Sequence, residues 1–522
     1  MNGTTRYALI AVTAALLLAP PAALHAADAP AQAAAKPNIL FILADDLGYG
    51  DVSCYNDESK VTTRNLDRLA AQGMRFTDAH ASSTVCTPTR YSLMTGRMCF
   101  RTGYRGVFTG VGGPCLIEPG RLTIAEMLRD AGYATAMFGK WHVGVTAYDS
   151  RGKPIHQGGL AGVKRIDFSR AIDGGPVDQG FDRFYGTACC PTTDWLYAYI
   201  DGDRIPVPPT GMIDKSKYPH NPYTNDFRGG RVAKDFDASE VDLVFLERSR
   251  AFMRQHVKAT PHKPFFLLHA MQAVHLPSIP AKRFRGRTNA GPHGDLIHEM
   301  DWIVGQLMAE LDALGITDHT IVIFGSDNGP EVPTVIHMRG DYDHDGARPW
   351  RGVKRDQWEG GHRTPLIARW PGKVAAGSTS DQMINLTDVF ATCAALVGAK
   401  LPNDAAEDSF NMLPVLLGKA DGPVRPYMIS QTIRNALAIR RGPWKYLDHQ
   451  GSGGNDYERD GDWGMKRYAL PDTDPDAPGQ LYNLADDPGE TTNLYSKRPQ
   501  IVQELKAMLE RSKASGRSAP TR

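Results

Sequence analysis

The chain has 522 residues, 42% of them hydrophobic and 9% aromatic, which suits a large globular core with room for one big domain and a smaller companion. Lys and Arg number 59 against 58 Asp and Glu, a net charge of +1, so neither nucleic acid nor an anionic membrane surface is implied as a partner. Any preference for anions has to be local.

At the N-terminus Arg6 precedes an apolar run from Tyr7 to Leu18, then Pro20 and Pro21, then small residues up to Ala26. This pattern predicts a secretory signal over residues 1–26, and the run is too short for a comfortable transmembrane helix. An exported protein with no membrane span after cleavage is expected, periplasmic in a Gram-negative source. Residues 27–36, rich in Ala and Pro, read as a leader into the fold.

Asn38 to Ala44 is a continuous apolar run of strand length that ends in Asp45-Asp46. Such a run predicts a strand buried on both faces, and open α/β sheets bind ligands at the carboxyl ends of their strands. Adjacent buried aspartates repel, so a cation is their natural partner. A helix follows over 63–73, a strand over 74–79, a helix over 122–130 and a strand over 134–138 leading to Lys140 and His142. Residues 145–235 are rich in Gly, Pro and Asp and read as loops and insertions. A helix over 239–256 leads to a strand over 265–270 and then to His275. A long amphipathic helix over 295–314 precedes the strand 320–324, which runs into Asp327-Asn328. The βαβ rhythm argues for a mainly parallel sheet. After Gly418 short alternating strands predict an antiparallel subdomain, closed by a helix over 500–511.

Between the first strands stands Cys86-Thr-Pro88-Thr-Arg90, followed by Thr95-Gly96-Arg97. Pro88 suits the first turn of a helix, which places Cys86 at a loop-to-helix junction with Gly96 as C-cap. Arg90 lies about one turn on, and a helix N-terminus with a guanidinium favours anions. The candidate ligand set of Asp45, Asp46, Asp327 and Asn328 offers hard oxygens only, which prefers Ca²⁺ or Mg²⁺ to zinc or copper.

The Cys86 segment resembles the signature of type I sulfatases, in the alkaline phosphatase superfamily. Further stretches are similar to that family in order along the chain: Gly139-Lys140-Trp141-His142, Gly180 to Gly186, His275-Leu-Pro277, Arg351-Gly-Val-Lys354, Trp358 to Arg363, and Leu481 to Leu494. The resemblance implies an α/β fold, a large mainly parallel mixed sheet flanked by helices, with a catalytic domain over 37–418 and a smaller antiparallel sheet-plus-helix subdomain over 419–522. It implies that Cys86 is oxidised by a formylglycine-generating maturation enzyme, and that the aldehyde hydrate supplies two hydroxyls, one to attack sulfur and one whose deprotonation expels sulfate. The ion, most often calcium in that family and magnesium as the alternative, also binds an oxygen at position 86. Arg90 is assigned to positioning that residue, His142 to its hydroxyl chemistry, Lys140 and Lys354 to the sulfate oxygens, and His275 to protonating the leaving oxygen.

The expected substrate is a sulfated saccharide or a small sulfated molecule such as an aryl sulfate. Because the segment 331–350 lies between the Asp327 and Lys354 motifs, its His337, Arg339 and Arg348 are read as a substrate-binding loop. Two rivals share parts of this pattern, a phosphodiester or phosphonate hydrolase of the same superfamily and a non-catalytic binder of sulfated glycans. The seven cysteines show no zinc spacing, and their pairing is left open between disulfides and free thiols, as is the oligomeric state.

Overall fold

The computed structural model describes residues 1–3 and 36–521. Most of the expected export signal lies outside these residues. Pro37–Arg522 forms one compact unit that holds both the main sheet and the C-terminal sheet. Among the described residues no helix is long and apolar enough to cross a membrane.

The strands are β1 (Asn38–Ala44), β2 (Met74–Phe76), β3 (Ala134–Lys140), β4 (Arg183–Thr187), β5 (Ile200–Asp201), β6 (Phe265–Ala270), β7 (Thr320–Ser326), β8 (Leu366–Arg369) and β9 (Ser378–Ser380). They form one nine-stranded sheet in the order β9-β2-β8-β7-β1-β6-β3-β4-β5. From β7 to β4 all pairings are parallel, while β8 and β5 attach antiparallel toward the two edges. The continuous apolar runs of β1, β6 and β7 are buried at every residue, as strands covered on both faces require. Two groups of helices flank the sheet. The helices α1 (Arg64–Ala71), α4 (Val241–Ala259) and α5 (Gly291–Ala313) pack together, and α2 (Cys86–Thr95), α3 (Ile124–Asp130) and α7 (Asp388–Val397) form the other group. Helix α3 starts on a capping box in which Thr123 accepts the Glu126 N–H and Glu126 accepts the Thr123 N–H.

A second sheet is antiparallel and runs in chain order through β10 (Met428–Gln431), β11 (Leu437–Arg441), β12 (Trp444–Leu447) and β13 (Gln480–Asn483), with α8 (Pro499–Ser515) packed on β11 and β12. It touches the loop before Cys86, where Ser83 bridges Gln431 and the Thr84 N–H donates to the Gln431 carbonyl at 3.0 Å. All seven cysteines are free thiols.

One expected loop is a helix. Residues 332–342 form α6 (Val332–Tyr342), started by Glu331, whose side chain accepts the Val332 N–H, and by a proline in the first turn.

Candidate active site

Neighbouring parallel strands bring the acidic residues together. Ala44 pairs with Ser326 at the ends of β1 and β7, so Asp45-Asp46 and Asp327-Asn328 leave the sheet side by side. The Asp46 N–H donates to Asp327 Oδ1 at 3.3 Å, and the Asn328 amide donates to Asp46 Oδ1 at 2.7 Å. Three cations face these groups. Arg90 Nε reaches Asp327 Oδ2 at 2.8 Å and its terminal amine lies 3.4 Å from Asp45; Lys140 bonds Asp45; Lys354 lies 2.7 Å from Asp46 Oδ1. All six charged side chains are nearly inaccessible.

Helix α2 presents Cys86 as its first residue and closes on Gly96, whose φ of 64° lies in the left-handed region that glycine adopts at no steric cost. Arg90, one turn on, also donates to the Lys140 carbonyl at 2.7 Å, which locks the guanidinium between the ends of β3 and β7. His142 does not continue the strand. Its φ is 59°, as Asp46's is 61°, a strained conformation for residues with a Cβ and one that concentrates at working sites. His142 Nε2 contacts the Phe108 carbonyl at 2.7 Å, so that nitrogen carries the proton and Nδ1, buried and without a hydrogen-bond partner, is the free lone pair. His275 makes the opposite choice, with Nδ1 at 2.5 Å from the Leu276 carbonyl and Nε2 turned to the pocket, 3.7 Å from both Asp46 and Cys190 Sγ.

Burial sets the protonation of the site, and the charges correct it. Burial pushes the Cys86 thiol up to about 11 and Asp327 up to about 7, the latter reinforced by the charge on Asp45. Burial would also raise Asp45, but Lys140 and Arg90 hold it far below the usual carboxylate range. His142 and His275 are both lowered by burial, His142 further by Lys140, while Asp46 partly restores His275.

The residues fit a hard cation. Asp45 Oδ1 and Asn328 Oδ1 are buried oxygens without hydrogen-bond partners, each such group costing about 1–3 kcal/mol. Asp45, Cys86 and Asp327 each place a ligand atom within 4.8 Å of the other two. Two lone oxygens and a carboxylate raised by its neighbour are what a divalent ion with oxygen ligands would relieve.

Above this floor lies a cavity of ≈ 110 Å³ lined by Cys86, His142, His275 and Lys354. The expected substrate loop is placed elsewhere. His337, Arg339 and Arg348 are not among the cavity's lining residues. His337 lies 3.3 Å from Asp462, Arg339 is paired with Asp345 and sits over the Tyr468 ring, and Arg348 is paired with Glu58. In their place the walls hold Phe108, Cys190, Asp194, Arg228, Glu331, Arg355 and Trp463, which no sequence motif marked. Glu331 had one usable sign, its position before Val332-Pro333 as a helix start. The others lie in segments without periodicity.

Buried oxygen donors at strand ends, a residue on a helix N-terminus and a lysine on a small anion-sized cavity suit a hydrolase of oxyanion esters. A sulfatase family model matches residues 37–399. An N-acetylgalactosamine-6-O-sulfatase of Bacteroides thetaiotaomicron is 34% identical, with 91% of this chain and 93% of the relative covered, and human arylsulfatase A is 35% identical over 94% and 90%. A solved 6S-sulfatase of Bacteroides thetaiotaomicron, from work on glycosaminoglycan metabolism, superposes with a TM-score of 0.77 at 31% identity, covering 92% of this chain and 99% of that one. The chain belongs to the sulfatase family, and it is a sulfuric ester hydrolase.

Proposed function

We propose that this enzyme hydrolyses sulfate monoesters of saccharides, with Cys86 converted to formylglycine and one divalent ion, Ca²⁺ or Mg²⁺, held by Asp45, Asp46, Asp327 and Asn328. The observation that carries the reading is the placement of Cys86. It is the first residue of a buried helix and shares a small cavity with His142, His275 and Lys354, next to oxygens that lack partners. An aldehyde hydrate at position 86 would supply a nucleophilic hydroxyl and a second hydroxyl for sulfate release, and the ion would supply positive charge that lowers a hydroxyl pKa.

The chain's own groups divide the remaining work. Lys140 and Lys354 bring positive charge to the sulfate oxygens, where charge develops as the ester bond breaks. His275 is oriented by its Nδ1 contact with Leu276, so its Nε2 can hand a proton to the departing oxygen. His142, anchored through Nε2, offers its free Nδ1 to a hydroxyl proton at position 86. Arg90, tied to Asp327 and to the Lys140 carbonyl, holds the floor in register.

The saccharide class is supported by the N-acetylgalactosamine-6-O-sulfatase relative, and the oxidised residue by the family. We read residues 1–26 as the export signal, which places the working enzyme outside the cytoplasm, and a formylglycine-generating enzyme as its maturation partner. Sulfate release from a panel of monosulfated sugars and aryl sulfates, with peptide mass spectrometry at position 86, tests the reading. Activity from material with only thiol at Cys86, purified from a host that oxidises such cysteines, would sink it. So would a higher kcat/KM on the matched aryl phosphate.

A further inference from the structure

The mouth of the cavity is built from two segments outside the catalytic motifs. Asp194 follows the Cys189-Cys190 turn, its side chain 4% exposed, and accepts the Cys190 N–H at 2.8 Å. Arg228 lies 3.6 Å from Asp194 and 3.1 Å from Asp226, with its guanidinium 4.8 Å from the centre of the Trp195 ring. From the other segment comes Trp463, 36% exposed, its ring 5.1 Å from the Arg355 guanidinium. The neighbouring Asp462 accepts a hydrogen bond from Asn225 at 3.1 Å and pairs with His337 at 3.3 Å. These ties hold the indole where it lines the same cavity as Asp194, Asp226 and Arg228.

The chemistry of this wall differs from that of the floor. A cavity of ≈ 110 Å³ takes a sulfo group and the first atoms of its alcohol, so the body of the substrate rests against the mouth. An exposed indole there suits the C–H face of a sugar ring, and a string of carboxylate, guanidinium and carboxylate suits its hydroxyls. The wall's charge is negative. At neutral pH Asp194, raised by burial to about 6, and Asp226 contribute −2 against +1 on Arg228, while Arg355 pairs with Glu331, Nη2 to Oε2 at 2.8 Å, a carboxylate that also lies 3.2 Å from Lys354. The floor welcomes one anion, and the mouth opposes a second.

We propose that Trp463 and the Asp194-Arg228-Asp226 string form a saccharide-reading wall that selects a neutral sugar ring bearing one sulfate ester and disfavours a second anionic group, sulfate or carboxylate, beside the reacting ester. This rests on the sulfatase reading above. His337 acts through Asp462 as a positioning residue for Trp463 and does not touch the sugar.

The test compares kcat/KM for 4-nitrophenyl sulfate, a monosulfated N-acetylhexosamine and its disulfated counterpart, using enzyme oxidised at Cys86. The wild type should favour the monosulfated over the disulfated sugar by roughly tenfold or more, and Asp226→Asn should narrow that ratio. Trp463→Ala should lower the ratio of monosulfated sugar to aryl sulfate by roughly tenfold, through KM more than kcat, with Trp463→Phe recovering part of it. A wild type that prefers the disulfated sugar, or a Trp463→Ala enzyme with an unchanged ratio, overturns the inference. Hydrolysis of the aryl sulfate but of neither sugar overturns it together with the saccharide assignment and leaves sulfatase activity standing. Hydrolysis of none of the three overturns the proposed function as well.

Discussion

Two buried charged clusters in this protein look alike in composition and differ in what they leave unpaired. The floor of the candidate site gathers Asp45, Asp46, Asp327, Arg90, Lys140 and Lys354. The second cluster lies where the C-terminal sheet meets the main one, and its groups all find partners. Glu359 is 2.9 Å from Lys445 and 3.0 Å from Arg363, and Asp78 takes Arg440 on both oxygens, at 2.6 and 2.8 Å, with His80 at 2.8 Å. Lys445 also pairs with Glu490 at 2.9 Å, and His80 and His362 face each other at 3.0 Å. His80, Glu359 and His362 have the spacing of a metal trio. Yet the space a cation would need there is served by Lys445 and Arg440. In the floor, Asp45 and Asn328 each keep an oxygen with no partner. Buried charge alone therefore does not mark a cation site; what sets the floor apart is that partnerless oxygens stand among clustered carboxylates.

Five measurements would break or sharpen this contrast. The largest effect belongs to the floor. Cys86→Ala should abolish sulfate release, and Asp327→Ala should empty the bound divalent ion in elemental analysis; ion content unchanged in that variant would contradict the proposed ligand set. Next comes the seam, where Lys445→Met leaves Glu359 and Glu490 buried without their shared cation. Breaking a buried pair from one side costs about 3–5 kcal/mol, visible in the denaturation midpoint, while activity per folded molecule should persist. Third, Lys140→Ala should lower kcat by roughly a hundredfold, the scale of one preorganised charge.

The last effect is graded and lies in the pH dependence of stability. Burial holds His269 down to about 3 and His293 to about 4, against an ordinary 6.5. The unfolded chain takes up these protons as pH falls below 6.5 and the native state does not. The contribution of these two histidines to stability is thus full above pH 6.5 and declines toward pH 4, by at most about 1.4 kcal/mol per pH unit for each. Denaturant midpoints measured from pH 7 to pH 4 check the slope, and His269→Gln should make it shallower.

The sheet's parallel centre and the meeting of the acidic pairs at its strand ends were legible in the sequence because both rest on local patterns. Apolar runs without alternation mark β1, β6 and β7, and the acidic pairs at the ends of β1 and β7 mark where a ligand would sit. Pro88 and Gly96 framed α2 from both ends. The mouth was illegible for a matching reason. Asp194, Arg228 and Trp463 stand in irregular segments whose meeting depends on tertiary packing, and nothing in their spacing announces it. Within 331–350, residues 332–342 form a helix and not the expected loop, because Glu331 and Pro333 start it while the charged residues after them carry a loop-like composition. Its His337 and Arg339 proved to serve the neighbouring chain segments through Asp462 and Asp345.

The depth of Cys86 sets the order of events in the enzyme's making. Its accessibility is 2%, and every residue of α2 is buried, so no second enzyme could admit this thiol to its own catalytic centre without first taking α2 apart. The oxidation proposed above would therefore have to come while the segment is still extended, during or just after synthesis. Folding closes that window, and the time for reopening it is set by unfolding, which for stable domains is slow. On that proposal a molecule that folds first would stay as the thiol, and the active fraction of a preparation would record a race between two rates and not an equilibrium.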